Sequence, residues 1–249
     1  MSLRQSISTP EGKRRYVRRI FATIADRYDF ITGFLSYGQD RRWKRRLIRL
    51  AHLTASDRVL DVACGTGDLL FEAATHVRCV VGLDVTFRMV QLARARAPGR
   101  VAKLVTGDMV SLPFRDAGFE VVTTGYGLRN VPDLDLALRE VHRVLTPGGR
   151  LLSLDFNRPS NAVIRGIYLT YLTIVGSALG MALHGDPDTY RYIPESIRRY
   201  PGAQGVARLM EKHGFTDVYV LPVLGGFMAI HVATKRDVTL ISHGGHEGH

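Results

Sequence analysis

Residues 61–68 read DVACGTGD, and the fold is decided by how this stretch sits among its neighbours. The residue pattern predicts a strand over 58–63, a loop over 64–68 and a short helix over 69–76. A glycine-rich turn between strand and helix lets the backbone approach a ligand closely. Gly65-Thr66-Gly67 is weak evidence alone. The next predicted strand, 79–84, is apolar until it ends on Asp84, at about the 20-residue spacing of a ribose-hydroxyl acceptor.

Working outward, the same alternation continues. A helix over 87–97 is stopped by Pro98-Gly99, and strands are predicted over 101–106 and 119–124. A helix over 134–145 carries Leu134, Leu138, Val141 and Leu145 at helical spacing. Pro147-Gly148-Gly149 then turns the chain into a strand over 150–155. Strands alternating with helices imply a doubly wound parallel sheet. Residues 157–201 break that rhythm and read as an inserted helical lid. A helix over 206–213 ends at Gly214, and strands over 218–223 and 227–234 flank Leu224-Gly225-Gly226 as a hairpin. The expected fold is therefore α/β, a mostly parallel seven-stranded sheet with a closing antiparallel hairpin. That hairpin suits the Rossmann-like class I methyltransferase architecture and not a dinucleotide dehydrogenase. The expected organisation is a basic N-terminal helical extension over 1–53, the main domain over 54–236, and a disordered tail over 237–249, with no internal repeat.

Rival ligands for the loop fail on particular residues. NAD binding asks for Gly or Ala where Leu70 stands, and the Gly-Lys-Ser/Thr of a P-loop is absent. A ligand-free tight turn would leave three acids unexplained: Asp61, Asp84 and Asp108, at the ends of neighbouring parallel strands around one crevice. Mutually repelling carboxylates gathered there suit a cationic, hydroxyl-bearing cofactor. S-adenosyl-L-methionine, with a sulfonium, an ammonium and a ribose diol, meets that description. No Cys/His set suggests a metal; His243, His246 and His249 in the Gly-rich tail imply adventitious binding at most.

The 249 residues are 45% hydrophobic and 23% charged, ordinary for a chain with a full core. The net charge of +11 is less ordinary. Lys13, Arg14, Arg15, Arg18 and Arg19 form one cluster; Arg41, Arg42, Lys44, Arg45, Arg46 and Arg49 form another. Each lies on a stretch of helical spacing, with Val17, Ile20, Phe21 and Ile24 on one apolar face and Trp43, Leu47 and Leu50 on the other. Solvated basic faces and attraction to an anionic membrane surface are equally good readings. Nucleic acid is not expected, because no aromatic-rich basic strand or zinc module accompanies the charge. Self-association into a homo-oligomer stays open. Two cysteines, Cys64 and Cys79, without a CxxC pair imply a reducing compartment. With no signal sequence at the start, the cytoplasm is expected. The uncharged run 166–183 is just long enough to span a bilayer, but its Gly, Ser, Thr and Tyr content favours a buried or interfacial helix.

Longer stretches are more specific than the loop. GYGLRNVPD (125–133), HRVLTPGGRLLSLDFNRP (142–159), DPDTYRYIPESIRRYP (186–201) and GGFMAIHVATK (225–235), with Tyr28-Asp29, Leu35-Ser36-Tyr37-Gly38 and Trp43-Lys44, resemble the ubiquinone/menaquinone biosynthesis C-methyltransferase family. GYGLRN and LDFNRPSN look most like its naphthoquinone-modifying branch. Thr32 and Asp40 depart from the Asn and His usual there. The resemblance implies S-adenosylmethionine contacts at Gly65, Thr66, Gly67, Asp84, Asp108, Met109 and Gly125, and methylation of a ring carbon of a reduced, lipid-tailed quinol. It also associates Arg129 and Asn130 with proton removal. A guanidinium is a poor literal base, so Arg129 is expected to stabilise a naphtholate, with Asn130 and Tyr28 orienting a water that takes the proton. Within the lid, Tyr168, Leu172, Ile174 and Val175 are expected along the prenyl tail, and Tyr190, Arg191 and Tyr192 near the head group. Alternatives are a benzoquinol or other small acceptor, or a non-catalytic cofactor-binding assembly factor at the membrane. Cys64 is expected to pack against the cofactor.

Overall fold

A computed structural model describes residues 3–97 and 102–237. The helices are α1 (Leu3–Ser6), α2 (Pro10–Ile24), α3 (Tyr28–Leu35), α4 (Asp40–Leu50), α5 (Asp68–Ala74), α6 (Phe87–Arg96), α7 (Leu134–Val144), α8 (Ala162–His184), α9 (Tyr192–Arg199) and α10 (Ala203–Lys212). The strands are β1 (Arg58–Val62), β2 (Cys79–Asp84), β3 (Ala102–Thr106), β4 (Phe119–Gly125), β5 (Leu145–Phe156), β6 (Phe215–Val223) and β7 (Met228–Lys235). They form one seven-stranded sheet in the order β3-β2-β1-β4-β5-β7-β6. β7 pairs antiparallel with both β5 and β6; every other pairing is parallel. The expected α/β sheet and its closing hairpin are therefore present. The strand order reverses between β1 and β4, where doubly wound sheets open a ligand crevice at the strands' carboxyl ends.

Successive strand residues face opposite layers. Leu60, Val122 and Leu151 pack with Leu138, Val141, Val206 and Met210 of α7 and α10. Val59, Val121 and Leu152 pack with Leu47, Ile48, Leu69 and Leu70 of α4 and α5. The helix starts have local causes: the Asp133 carboxylate accepts the Leu136 amide, and the Asn161 side chain accepts those of Val163 and Ile164. Pro147-Gly148-Gly149 does not end a helix before a fresh strand. β5 begins at Leu145 opposite Phe119, and the ladder resumes at Val121 opposite Arg150, so the turn bulges out of a continuous strand, with Gly148 at φ +73°. Pro98, Gly99, Val101 and the tail with His243, His246 and His249 lie outside the described residues.

The N-terminal segment is not an appendage. Leu47 and Ile48 of α4 and Ala51 just after it are buried, while α2 lies across the crevice. Lys13 donates to the Arg129 carbonyl at 3.0 Å, and Arg14 pairs with Asp108 at 2.9 Å. Lys44, expected on a solvated basic face, is buried between Asp40 (2.6 Å) and Asp68 (2.9 Å).

Candidate functional site

The loop after β1 is held from both sides. Asp84, at the end of β2, accepts the Gly65 amide at 2.9 Å through Oδ2 and the Thr86 amide at 2.8 Å through Oδ1. Gly67 sits at φ +94°, where a Cβ would come within 2.5 Å of the Phe71 ring; only glycine fits that turn. Thr66 donates its hydroxyl to Asp29 at 2.6 Å. Arg96 bonds Asp29, the Thr66 carbonyl and Asp68. Lys44 joins Asp68 to Asp40, whose other oxygen accepts the Tyr126 hydroxyl at 2.5 Å. Two N-terminal helices are thereby tied to the loop by charge-assisted bonds.

Above the strand ends lie two adjoining hollows of about 300 and 370 Å³ that share Tyr28, Ala63, Gly65, Gly125 and Tyr126. Asp61 lines one, with Thr66 and Cys64; Asp84 lines the other, with Asn130. Asp61 is buried, and Thr123 donates to its Oδ1 at 2.8 Å, but its Oδ2 has no hydrogen-bond partner among the described residues. Burial pushes its carboxyl up to about 7, with the Thr123 hydroxyl and the Lys44 charge pulling the other way. Burial also raises Asp84, against the Thr86 and Gly65 amides. An orphaned buried acid beside a second acid fits a ligand with an ammonium and a diol. Burial raises the Cys64 thiol well above its usual value, which leaves it an inert packing group.

A third hollow, about 630 Å³, abuts the cleft at Phe21, Tyr28 and Tyr126. Its walls are apolar: Ile20 and Ile24 of α2, Ile31 and Leu35 of α3, Phe156, Ile193 and Met228, with the rings of Tyr190 and Tyr192. Arg129 is the one charged side chain in its lining among the described residues. Arg129 and Asn130 share a 3-10 turn, Leu128–Asn130, and line different chambers: Arg129 the apolar cavity, Asn130 the cofactor cleft. Asp155 accepts the Arg129 amide at 3.0 Å and its Nε at 3.2 Å; Ser196 accepts Nη1 at 2.5 Å. The guanidinium stands 5.0 Å from the Phe156 ring centroid. Asn130 donates to the Tyr126 carbonyl at 2.7 Å. Burial, reinforced by the Asp40 charge, raises the Tyr28 phenol, and burial likewise raises that of Tyr192. The Tyr192 hydroxyl has no hydrogen-bond partner among the described residues.

The expected site residues thus divide. Gly65, Thr66, Asp84, Gly125, Tyr28, Arg129, Asn130, Tyr190 and Tyr192 line the joined chambers. Asp108 faces Arg14 instead, and Met109 packs in the core with Leu60 and Leu128. Tyr168 and Leu172 pack inside the lid against Ile197, and Arg191 pairs with exposed Asp188 at 2.8 Å. The sequence reading missed Asp40, Lys44, Asp68 and Arg96 as a clamp, and Tyr126, Phe156 and Asp155 as site groups. Tyr126, Asp155 and Phe156 stand within the GYGLRN and LDFNRP stretches, so the signal was present. The clamp partners come from separate helices and carry no shared motif.

The ubiE/COQ5 methyltransferase family model matches residues 9–235. The chain is 37% identical to a demethylmenaquinone methyltransferase of Roseiflexus castenholzii, over 91% of this chain and 96% of that one. It is 40% identical to one of Thermus thermophilus, over 87% of this chain and 100% of that one. It is 37% identical to the ubiquinone/menaquinone biosynthesis C-methyltransferase UbiE of Rubrivivax gelatinosus, over 93% and 91%. Among solved structures, a SAM-dependent methyltransferase from Thermotoga maritima matches with a TM-score of 0.64 at 19% identity, covering 88% of this chain and 100% of that one. With the family model matching over most of its length, the chain belongs to the ubiE/COQ5 methyltransferase family.

Proposed function

We propose that this enzyme transfers a methyl group from S-adenosylmethionine to a ring carbon of a reduced polyprenyl naphthoquinone, converting a demethylmenaquinol to a menaquinol. The observation that carries the acceptor side is the 630 Å³ apolar cavity with a single cation in its wall, opening on the acid-lined cleft at Tyr28 and Tyr126. The names of the relatives from Roseiflexus and Thermus support the same acceptor.

The bound cofactor supplies an electrophilic methyl on a sulfonium. Asp61, with its unpartnered Oδ2, would hold the cofactor's ammonium, and Asp84 its ribose hydroxyls. The apolar walls exclude water, which favours a reaction in which an anionic ring and a cationic donor lose their charges together. Arg129, fixed by Asp155 and Ser196, would make the quinol hydroxyl more acidic by stabilising the naphtholate. The hydroxyl proton would leave to a water held by Asn130 and Tyr28; the ring carbon would then take the methyl as the methyl–sulfur bond breaks, and loss of the ring proton with return of one proton to the oxygen would give the menaquinol. Positioning of the two reactants in line provides most of the acceleration.

The enzyme works at the cytoplasmic face of a membrane in this reading, because its acceptor carries a lipid tail and its surface is basic. Labelled S-adenosylmethionine offered with reduced demethylmenaquinone and benzoquinol analogues tests the acceptor. Transfer to the naphthoquinol is expected. Transfer only to the benzoquinol would move the reading to ubiquinone synthesis; cofactor binding with neither transfer would indicate an assembly factor or another acceptor.

A further inference from the structure

Nine of the twelve large hydrophobic side chains exposed among the described residues belong to two places, α8 and the segment from Phe30 to Tyr37. On α8, Val163, Ile164, Ile167, Ile174 and Met181 are 71, 48, 67, 65 and 56% exposed. Their spacing of three, four and seven residues puts them along one side of the helix. Over its 23 residues α8 holds one Arg and one terminal His and no carboxylate. Arg165 is turned back onto the Pro159 and Ser160 carbonyls at 3.0 Å. Beside α8, Phe30 and Phe34 stack with ring centroids 6.4 Å apart while 60% and 50% exposed. Tyr37 bonds Tyr171 of α8 at 2.7 Å through their hydroxyls, joining the two faces into one patch. Apolar surface this contiguous on a folded chain marks an interaction site.

The charge next to the patch names the partner. α4 follows α3 directly and exposes Arg41, Arg42, Arg45, Arg46 and Arg49, none of which forms an ion pair among the described residues. An apolar face bordered by unneutralised arginines complements an anionic lipid bilayer. The other side of α8 is packed on the protein: at Gly176 a Cβ would lie 3.2 Å from the Tyr190 carbonyl, so the helix rests on the domain with one face bare.

We propose that the outer faces of α3 and α8 enter the interfacial layer of an anionic bilayer, with the arginines of α4 on the headgroups. The adjacent face of α3, through Ile31 and Leu35, is a wall of the acceptor cavity. One helix therefore separates lipid from cavity, and a lipid-tailed acceptor passes between them beside α3 without crossing water. The route rests on the proposed acceptor; the docking surface does not.

The test uses the full chain and vesicles of phosphatidylglycerol and phosphatidylcholine. Ile167→Glu combined with Ile174→Glu alters two side chains that face solvent. It is expected to weaken vesicle binding by about tenfold or more, a shift that corresponds to ~1.4 kcal/mol, while cofactor affinity and thermal unfolding stay unchanged. Activity on a vesicle-embedded, long-tailed acceptor falls in parallel, whereas activity on a short-tailed acceptor in solution is retained. Replacing Arg41, Arg42, Arg45 and Arg46 by Gln is expected to remove the salt dependence of binding. Wild-type protein that ignores the vesicles, or a double variant that binds them as well as wild type, would overturn the proposal. So would a wild-type dimer that the double variant dissolves without any vesicle binding, since the face would then belong to a second copy. Absence of naphthoquinol methylation with vesicle binding intact would count against the acceptor and leave the surface standing.

Discussion

The two chambers on either side of Tyr28 and Tyr126 are built in opposite ways. The cofactor cleft carries acids on β1, β2 and the first turn of α5, close together in the chain. The acceptor cavity is apolar and draws its walls from α2, α3, α9, β5 and β7, segments up to two hundred residues apart in sequence. Backbone amides, carboxylates and a glycine turn recognise a charged, hydroxyl-bearing ligand by directed bonds. A hydrophobic acceptor asks only for volume, shape and one cation. The polar chamber therefore constrains individual residues, and the apolar one constrains a surface that many residues can supply.

Asp155→Ala should separate the chambers most forcefully. It leaves the buried Arg129 charge without its carboxylate, at a cost of about 3–5 kcal/mol in unfolding free energy, read by denaturant melts. Turnover is lost, while the cofactor affinity of the folded fraction is kept; parallel loss of both would mean that the chambers are one unit. The next effect is a pH slope from the cofactor side. Asp61 titrates near 3.8 when unfolded and at about 7 when folded. Between those values the native state holds a proton that the unfolded state has released. Stability therefore falls as pH rises through that window and levels above 7, by on the order of a few kcal/mol, with Asp84 acting in the same direction. Asp61→Asn should flatten most of the slope. S-adenosylhomocysteine, which carries the same ammonium, should bind with proton release below pH 7, seen as a buffer-dependent calorimetric heat.

Asp84→Asn comes third. Loss of its charge at two amide bonds should weaken cofactor binding by roughly 1.5–3 kcal/mol, measured by calorimetry, with little change in acceptor KM at saturating cofactor. Tyr126→Phe removes only the bond to Asp40 and should cost about 1 kcal/mol of stability, with kcat reduced more than either KM because the shared wall loosens. Arg88→Ala, which breaks an exposed pair with Asp26, should change stability by less than about 0.5 kcal/mol and leave both chambers as they are.

The polar chamber was the legible one. Asp61 and Asp84 were placed from spacing and residue type, because strand periodicity and a glycine turn are local signals, while Gly65 and Thr66 as contacts came with the family resemblance. The apolar face Val17, Ile20, Phe21 and Ile24 was also visible, but periodicity says that a face is buried and not against what. Three of its residues, Ile20, Phe21 and Ile24, line the acceptor cavity. Lys44 was misplaced for a related reason: a basic run looks uniformly solvated until Asp40 and Asp68 are brought to it. Tyr168, Leu172 and Arg191 lie in the expected lid, yet none lines the cavity: Tyr168 and Leu172 pack behind it with Phe156 and Ile193, and Arg191 pairs with Asp188. α8 shows the same limit from the other side, since an uncharged run carries no record of which face the protein covers.

By itself the sequence determined a doubly wound sheet, a glycine loop with acids at the strand ends, and membership of a methyltransferase family. Hydrophobic period, turn chemistry and short motifs all act over a few residues, so they survive in the linear chain. Only the tertiary structure decided that Arg129 and Asn130 look into different chambers, that Asp108 faces Arg14, and that one side of α8 remains bare. Those outcomes depend on which distant surfaces meet, and burial, pairing and desolvation exist only once they have met.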